Sequence, residues 1–195
     1  MITYPIIERI LNYIYITRKR LFIIVAFLLY TGARISEICR IEIKKIDLEE
    51  RYFITKVKSK KALNKYGIYF LPKFFLQYLE EWRKSIYLEH PNTRYLFPSR
   101  KTFISTNTIR KNLRKVKNEL GLDCQMNPHA FRDFINSERF DTKMKDKYRF
   151  LLLNQTPPNV NVDAYIKKFK KRRELQKKYD EFFPFPEFKP KLNLI

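Results

Sequence analysis

The stretch LFIIVAFLLYTGARISEICR, residues 21–40, contains the features that decide the fold: an apolar run, a glycine stop and an isolated arginine. The apolar run is typical of a buried helix and has about half the length needed to cross a membrane. Gly32 is placed to end that helix, because glycine adopts the left-handed backbone of a helix C-terminal cap without strain. We predict that a short third helix begins near Arg34, with its aliphatic side in the core and the arginine on the opposite side.

The composition indicates one compact and very basic domain. Of 195 residues, 45% are hydrophobic and 16% aromatic, which is enough for a sizeable core. Lys and Arg total 41 against 20 Asp and Glu, so the formal net charge is +21. Such a charge repels itself unless it faces a polyanion. Nucleic acid is therefore the first partner to consider, and an anionic membrane surface is the second.

The sequence gives no support for a zinc protein, a disulfide-linked protein or a secreted protein. Cys39 and Cys124 lie far apart, with no CxxC motif or Cys/His cluster around them, which argues against a zinc site or a disulfide framework. Both are expected to be small core hydrophobes. The N-terminus has no basic segment leading into an apolar stretch and no cleavage site of small residues. We therefore expect an intracellular protein without a secretory signal.

The spacing of apolar residues predicts a mixed, mainly α fold. Two helices meet near Thr17, and the second ends at Gly32. Alternating apolar and polar residues in RYFITKVKSK and KYGIYFLP predict two strands of a small antiparallel β-hairpin around KALN. Pro72 is expected at the head of an amphipathic helix.

The second half of the chain is predicted to be helical up to an extended tail. A basic amphipathic helix has Ser105 or Asn107 as its N-terminal cap and Gly121 at its end. Pro128 lies in the first turn of the next helix. Two more helices are predicted in YRFLLLNQ and NVNVDAYIKKFKKRRELQKKY. The final segment, DEFFPFPEFKPKLNLI, contains three prolines and is expected to be extended.

Four polar features need a common explanation: Arg34, the lysines at the hairpin tip, HAFR at 129–132, and Tyr165 in a basic helix. In this order they resemble the catalytic domain of the tyrosine recombinases, the phage integrase family. LLYTGARISEICRIEIKKIDLE is similar to the family's first-arginine motif, ITKVKSKKALNKYGIYFLP to its lysine hairpin, and YLFPSRKTFISTNTIRKNLRKV to its linker and basic helix. NPHAFRDF is similar to its His-x-x-Arg motif, and LLLNQTPPNVNVDAYIK to the segment that leads to its tyrosine nucleophile.

The resemblance implies cleavage and rejoining of DNA strands through a covalent 3′-phosphotyrosyl intermediate, with no metal ion and no cofactor. Arg34 and Arg132 would bind the scissile phosphate, because planar guanidinium groups hold phosphate bidentately and stay protonated. Tyr165 would be the nucleophile. His129 would share a helix face with Arg132 and assist proton transfer. Glu37, one helical turn beyond Arg34, would orient that arginine without touching the substrate.

A lysine at the hairpin tip would protonate the leaving 5′ oxygen in the same scheme. The alignment favours Lys60, with Lys58 behind it, and the tip also offers Lys56 and Lys61. Further contacts with DNA are expected from a basic or polar set outside the reaction, namely Lys58, Lys61, Arg100, Asn107, Arg110, Lys111 and Arg114.

Two features depart from the family pattern. The family usually has LLGH before the tyrosine, whereas this chain has LLNQ, so Gln155 takes the place of a second histidine. Glutamine donates a hydrogen bond to a phosphate oxygen but does not relay a proton at neutral pH, so a slower reaction is expected. Most members also carry a separate N-terminal DNA-gripping domain, whereas we expect this sequence to begin directly at the catalytic domain. We assign residues 1–180 to the catalytic domain and 181–195 to an extended tail.

Double-stranded DNA is the expected partner, with a homo-tetramer on synapsed DNA and a monomer or weak dimer without it. No membrane association is expected.

Two other functions remain open. A type IB topoisomerase uses nearly the same residues to relax supercoils, and a DNA-binding regulator would keep the fold and charge without turnover. The aromatic tail is expected to dock either on its own domain or on a neighbouring protomer, because its phenylalanines would otherwise expose a large apolar patch.

Overall fold

The apolar run at 21–31 forms the centre of the core. The computed structural model describes residues 2–57, 66–100, 102–155 and 172–191. Helices α1 (Tyr4–Thr17) and α2 (Lys19–Thr31) are separated by one residue, and every α2 residue from 21 to 31 is buried. Gly32 ends α2 in the left-handed conformation with φ +67°, and its N–H donates a hydrogen bond to the Leu28 carbonyl. The predicted glycine cap is therefore confirmed.

A three-stranded antiparallel sheet follows the short helix α3 (Ile35–Ile38), with its strands in sequence order. The strands are β1 (Ile46–Asp47), β2 (Tyr52–Lys56) and β3 (Tyr66–Phe70). β2 and β3 pair along their whole length, which confirms the two predicted hairpin strands. β1 was missed, because two residues are too few to show an alternating pattern. The tip lies outside the described residues, and with it KALN, Lys58, Lys60 and Lys61.

Helices make up most of the remaining described chain. They are α4 (Leu76–Glu89), α5 (Thr106–Glu119), α6 (Pro128–Asp141), α7 (Asp146–Leu152) and α8 (Arg172–Glu181), with 3-10 turns at Ile43–Lys45 and Lys73–Phe75. α2 packs against α1, α4 and α6. α5 buries Ile109, Leu113 and Val116 and leaves its basic side chains in solvent, as its amphipathic pattern predicts.

Two of these helices begin with side-chain caps that bear on the site. Ser105, and not Asn107, caps α5, since its hydroxyl accepts a hydrogen bond from the Thr108 N–H. Asn127 caps α6. Its Oδ1 accepts hydrogen bonds from the backbone N–H groups of the second and third residues after it. Pro128 occupies the first turn of α6 as predicted. The start of α6, which carries the His-x-x-Arg sequence, is therefore fixed locally.

The described part of the tail is extended and packs on its own domain. Phe185 and Phe188 are 8% and 7% exposed and belong to the main core. The Tyr4 hydroxyl donates to the carbonyl group that precedes Phe185 at 2.7 Å, and the Tyr78 hydroxyl donates to the Phe188 carbonyl at 3.2 Å. The sequence left open whether the tail docks on its own domain or on a neighbouring protomer. The structure shows the tail docked on its own domain. The division of the chain at residue 180 stays a prediction.

The architecture agrees with the predicted mixed, mainly α class. Both cysteines are free and buried, as expected of small core residues. Burial raises the pKa of the Cys39 thiol to about 11, so this thiol is protonated at neutral pH. Among the described residues, no helix combines the length and the apolar character that a membrane span requires.

Candidate functional site

A cleft of about 620 Å³ brings together four of the six predicted catalytic residues: Arg34, His129, Arg132 and Gln155. Its walls come from the start of α3, the N-terminal halves of α5 and α6, and the segment that follows α7. The lining consists of Arg34, Ile35, Ser36, Thr106, Arg110, Asn127, Pro128, His129, Arg132 and Gln155. The other two predicted catalytic residues, Lys60 and Tyr165, lie outside the described residues.

Arg132 is held at the floor of the cleft by two main-chain carbonyl groups. Its side chain is buried, and its guanidinium donates to the carbonyl of Gly32 and, at 2.8 Å, to that of Leu153. These carbonyl groups follow the ends of α2 and α7. Burial, with the nearby Arg34 charge, lowers the pKa of Arg132, although an arginine keeps its proton at physiological pH. The fold thus supplies a fixed positive charge at this point.

Arg34 stands at the N-terminal cap of α3 and is paired with Glu37. One carboxylate oxygen, Oε2, accepts the Arg34 backbone N–H at 2.7 Å, and the other lies 3.3 Å from its Nη1 atom. The Glu37 side chain is 1% exposed, whereas that of Arg34 is 38% exposed. The neighbouring Ile35 and Ile38 are buried, so the short helix is anchored as predicted. The buried Glu37 therefore orients the Arg34 guanidinium, which remains accessible from the cleft.

Sequence reasoning missed two residues that hold Glu37 in place. The Tyr69 hydroxyl donates to Glu37 Oε2 at 2.6 Å, and the Thr55 hydroxyl donates to the Glu37 carbonyl at 3.0 Å. Both residues lie on the hairpin strands and are buried. The alternation of the strands indicates which residues face inward. It does not indicate which inward hydroxyl meets a carboxylate that lies more than one element away in the chain.

His129 lies at the start of α6 and is far more exposed than Arg132. Its side chain is 78% exposed, and its Nδ1 atom lies 3.2 Å from an Asp133 carboxylate oxygen. The half-buried Gln155 follows Asn154, which adopts a left-handed conformation with φ +51°. The Asn154 side-chain amide donates to a β3 carbonyl at 3.1 Å, so the end of α7 is attached to the hairpin. Gln155 is therefore held at the edge of the cleft.

The predicted DNA-contacting residues are distributed over more than one surface. Arg110 lines the cleft and donates to the Asn107 side chain at 3.2 Å. Lys111 and Arg114 are exposed on α5 outside the cleft lining. Arg100 is also exposed, but it lines a second cleft of about 560 Å³ formed by residues between Glu89 and Thr102. Lys58 and Lys61 lie outside the described residues.

The described lining of the cleft is suited to an anion. It contains three arginines and no carboxylate. The N-terminal ends of α5 and α6 also meet there, and free N–H groups at helix N-termini favour negative charge. Among the described residues, no group of three or more His, Cys, Asp and Glu side chains is arranged to hold a metal ion. The expectation of metal-independent chemistry stays a prediction.

Comparison with known proteins identifies the family. Residues 2–147 match the phage integrase family model. Similar solved structures include XerA recombinase, with 21% identity and a TM-score of 0.67 over 85% of this chain and 62% of that one. XerH site-specific recombinase bound to difH in a pre-cleavage complex has 17% identity and a TM-score of 0.66, over 90% of this chain and 54% of that one.

The Tn1549 transposon integrase in complex with circular intermediate DNA is also similar, with 17% identity and a TM-score of 0.64. The match covers 90% of this chain and 64% of that integrase chain. The chain thus spans less than two thirds of each of these three proteins. No curated protein sequence matches it significantly. The structural likeness supports the fold, and because the family model matches most of its length, the chain belongs to the phage integrase family.

Proposed function

We propose that this chain carries the catalytic site of a tyrosine recombinase, which cleaves and rejoins DNA at specific sites. The observation that carries the proposal is the cleft in which Arg34, Arg132, His129 and Gln155 meet without a carboxylate in the lining. These residues come from separate parts of the sequence, and the fold brings them together. In a DNA-processing member of this family, the anion bound in the cleft would be a phosphodiester. The net charge of +21 supports a polyanionic partner.

In the proposed reaction the Tyr165 hydroxyl oxygen attacks the scissile phosphorus. A tyrosine–phosphorus ester forms and the bond between phosphorus and the 5′ oxygen breaks. His129 accepts the tyrosine proton, and Lys60 donates a proton to the leaving 5′ oxygen. Arg34 and Arg132 stabilise the charge that develops on the non-bridging oxygens. The roles of Tyr165 and Lys60 rest on the family resemblance alone.

The reverse of this step would rejoin strands. Attack of a 5′-hydroxyl on the phosphotyrosyl ester releases the tyrosine and restores a phosphodiester, so the bond energy is conserved without a cofactor. Double-stranded DNA is the proposed partner, in line with the XerH and Tn1549 integrase structures that contain DNA. A homo-tetramer on synapsed DNA is proposed as the working assembly.

A nicked suicide substrate tests the function. Cleavage near the nick releases a short 5′-hydroxyl fragment that diffuses away, so the covalent protein–DNA adduct accumulates. The substrate is a radiolabelled duplex that carries the element's own attachment site, and the adduct is measured by denaturing electrophoresis. We expect an adduct that forms without added metal and in the presence of a chelator. Tight DNA binding with no adduct would overturn the proposal.

One observation keeps a regulator as the second candidate. Gln155 lines the cleft where the family usually has a histidine, and a glutamine side chain cannot relay a proton. A regulator would bind the suicide substrate and leave it intact. A topoisomerase would instead relax a supercoiled plasmid at low protein concentration without a second DNA site.

A further inference from the structure

The buried carboxylate of Glu37 is shared between the backbone of Arg34 and a tyrosine of the hairpin. Its Oε2 atom accepts two hydrogen bonds, from the Arg34 N–H at 2.7 Å and from the Tyr69 hydroxyl at 2.6 Å. Its Oε1 atom has a longer contact, 3.3 Å, with the Arg34 guanidinium. We infer that Tyr69 is a positioning residue for Arg34 that acts through Glu37, a role that rests on the proposed function of the cleft.

The packing around Tyr69 holds its hydroxyl against Glu37. Its side chain is 1% exposed, and its ring stacks on Phe53 with centroids 5.1 Å apart and planes 19° apart. The two residues are paired across β2 and β3. Burial and the adjacent Glu37 charge raise the pKa of Tyr69 well above its usual value. The hydroxyl therefore keeps its proton at neutral pH and remains a hydrogen-bond donor.

The hydroxyl limits how strongly Glu37 holds the arginine. A carboxylate removed from water must have its oxygen atoms satisfied by hydrogen-bond donors. With Tyr69 and the backbone N–H on Oε2, the carboxylate needs little from the Arg34 side chain, which stays 38% exposed in the cleft. Without the hydroxyl, the nearest available donor is the Arg34 guanidinium itself. It would turn towards Glu37, and its alignment with the phosphate would be lost.

The substitution Tyr69→Phe tests the inference, because it removes the hydroxyl and keeps the stacked ring. Tyr78→Phe is the matched control: Tyr78 is also buried and hydrogen-bonded, but to a tail carbonyl away from the cleft lining. Single-turnover cleavage of the suicide substrate and DNA affinity are measured for both. We expect Tyr69→Phe to slow cleavage about tenfold, the effect of one hydrogen bond to a charged group, with DNA affinity little changed. Tyr78→Phe should cleave at the wild-type rate.

A double-mutant comparison separates positioning from a general structural effect. In the Arg34→Ala background, Tyr69→Phe should slow any residual cleavage no further, because its effect passes through the arginine. Equal slowing in both backgrounds would overturn the inference. Glu37→Gln is a second probe, because it keeps the shape of the side chain and removes its charge. Cleavage at the wild-type rate in Glu37→Gln would overturn the inference, whether or not Tyr69→Phe folds. If wild-type protein forms no adduct, the proposed function fails; if it cleaves and Tyr69→Phe cleaves equally fast, only this inference fails.

Discussion

Arg132 reaches the cleft from a buried position in which two hydrogen bonds hold its guanidinium. Its guanidinium is bound to carbonyl groups beyond the ends of α2 and α7, and its side chain is buried. A charge that is held in place before the reaction stabilises a transition state more than a mobile one, because it needs no reorganisation when negative charge develops. The exposed Arg114 on α5 has no such anchoring among the described contacts.

Arg132→Ala is therefore predicted to reduce the cleavage rate far more than DNA affinity. Removing a fixed donor of this kind typically costs on the order of a hundredfold to a thousandfold in rate. Arg114→Ala should show the opposite pattern, with weaker binding and a nearly normal rate once DNA is saturating. Single-turnover kinetics and equilibrium binding measure the two effects. Equal losses of rate and affinity in Arg132→Ala would contradict its role in the transition state.

The cleavage rate of a modified substrate is predicted to distinguish Lys60 from Lys58 as the general acid. A sulfur atom in place of the leaving 5′ oxygen departs without a proton, so it removes the need for the acid. Lys60→Ala should cleave ordinary DNA much more slowly and the sulfur-containing DNA at close to the wild-type rate. Lys58→Ala should respond equally to both substrates. Rescue of Lys58→Ala and not of Lys60→Ala would reverse the assignment.

At the scale of elements, α5 presents a basic surface next to the cleft. Its apolar residues are buried, while Lys111, Arg114 and Lys115 are exposed. Each phosphate that such a side chain neutralises adds roughly 0.9 to the slope of log affinity against log salt concentration. Lys111→Ala combined with Arg114→Ala is predicted to lower that slope by about two units and to do so on any DNA sequence. The control is Lys84→Ala: Lys84 is exposed on α4 outside the cleft lining, so its removal should leave the slope unchanged.

The elements were predictable to the extent that their signals are local. The cap at Gly32, the proline at the start of α6 and the alternation of β2 and β3 are each contained within a few residues. β1 was too short to show a pattern. The pairing of Tyr69 with Glu37 was not predictable either, because it joins residues from different elements whose approach depends on the packing of the sheet against α3.

Arg139 illustrates the same limit within a single helix. In sequence it belongs to the charged segment NSERF, yet it is 1% exposed and donates to the Tyr30 carbonyl at 3.2 Å. Its guanidinium lies 5.6 Å from the Tyr179 ring of α8, and burial lowers the pKa of Arg139 to about 10. The grouping of Arg34, His129 and Arg132 was more predictable than this contact, because the resemblance to the family motifs places all three at one site and the structure brings them into one cleft.

At the scale of the whole molecule, the tail connects α1, α2 and α4. The Phe188 ring packs against Phe22 with centroids 5.2 Å apart and against Tyr15 and Tyr78 at about 6 Å. Phe188→Ala is predicted to lower the free energy of unfolding by about 3–5 kcal/mol, the usual cost of removing a buried phenylalanine. Lys189→Ala, whose side chain is 81% exposed, is the control and should change little. Denaturant unfolding measures both.

An unchanged stability in Phe188→Ala, together with loss of assembly on DNA, would show that the tail acts between protomers. The contacts described within one chain predict the reverse: a less stable monomer that still assembles on DNA at temperatures where it is folded.

The most direct test of the central claim is to identify the residue that becomes linked to DNA. The adduct from the suicide substrate is digested with a protease and a nuclease, and the nucleotide-bearing peptide is sequenced by mass spectrometry. The account predicts a 3′-phosphoryl group on Tyr165, and it predicts that Tyr165→Phe forms no adduct while it binds DNA almost as tightly as wild type. Linkage to Tyr148 or Tyr179, or an adduct that persists in Tyr165→Phe, would contradict the assignment of this chain's nucleophile.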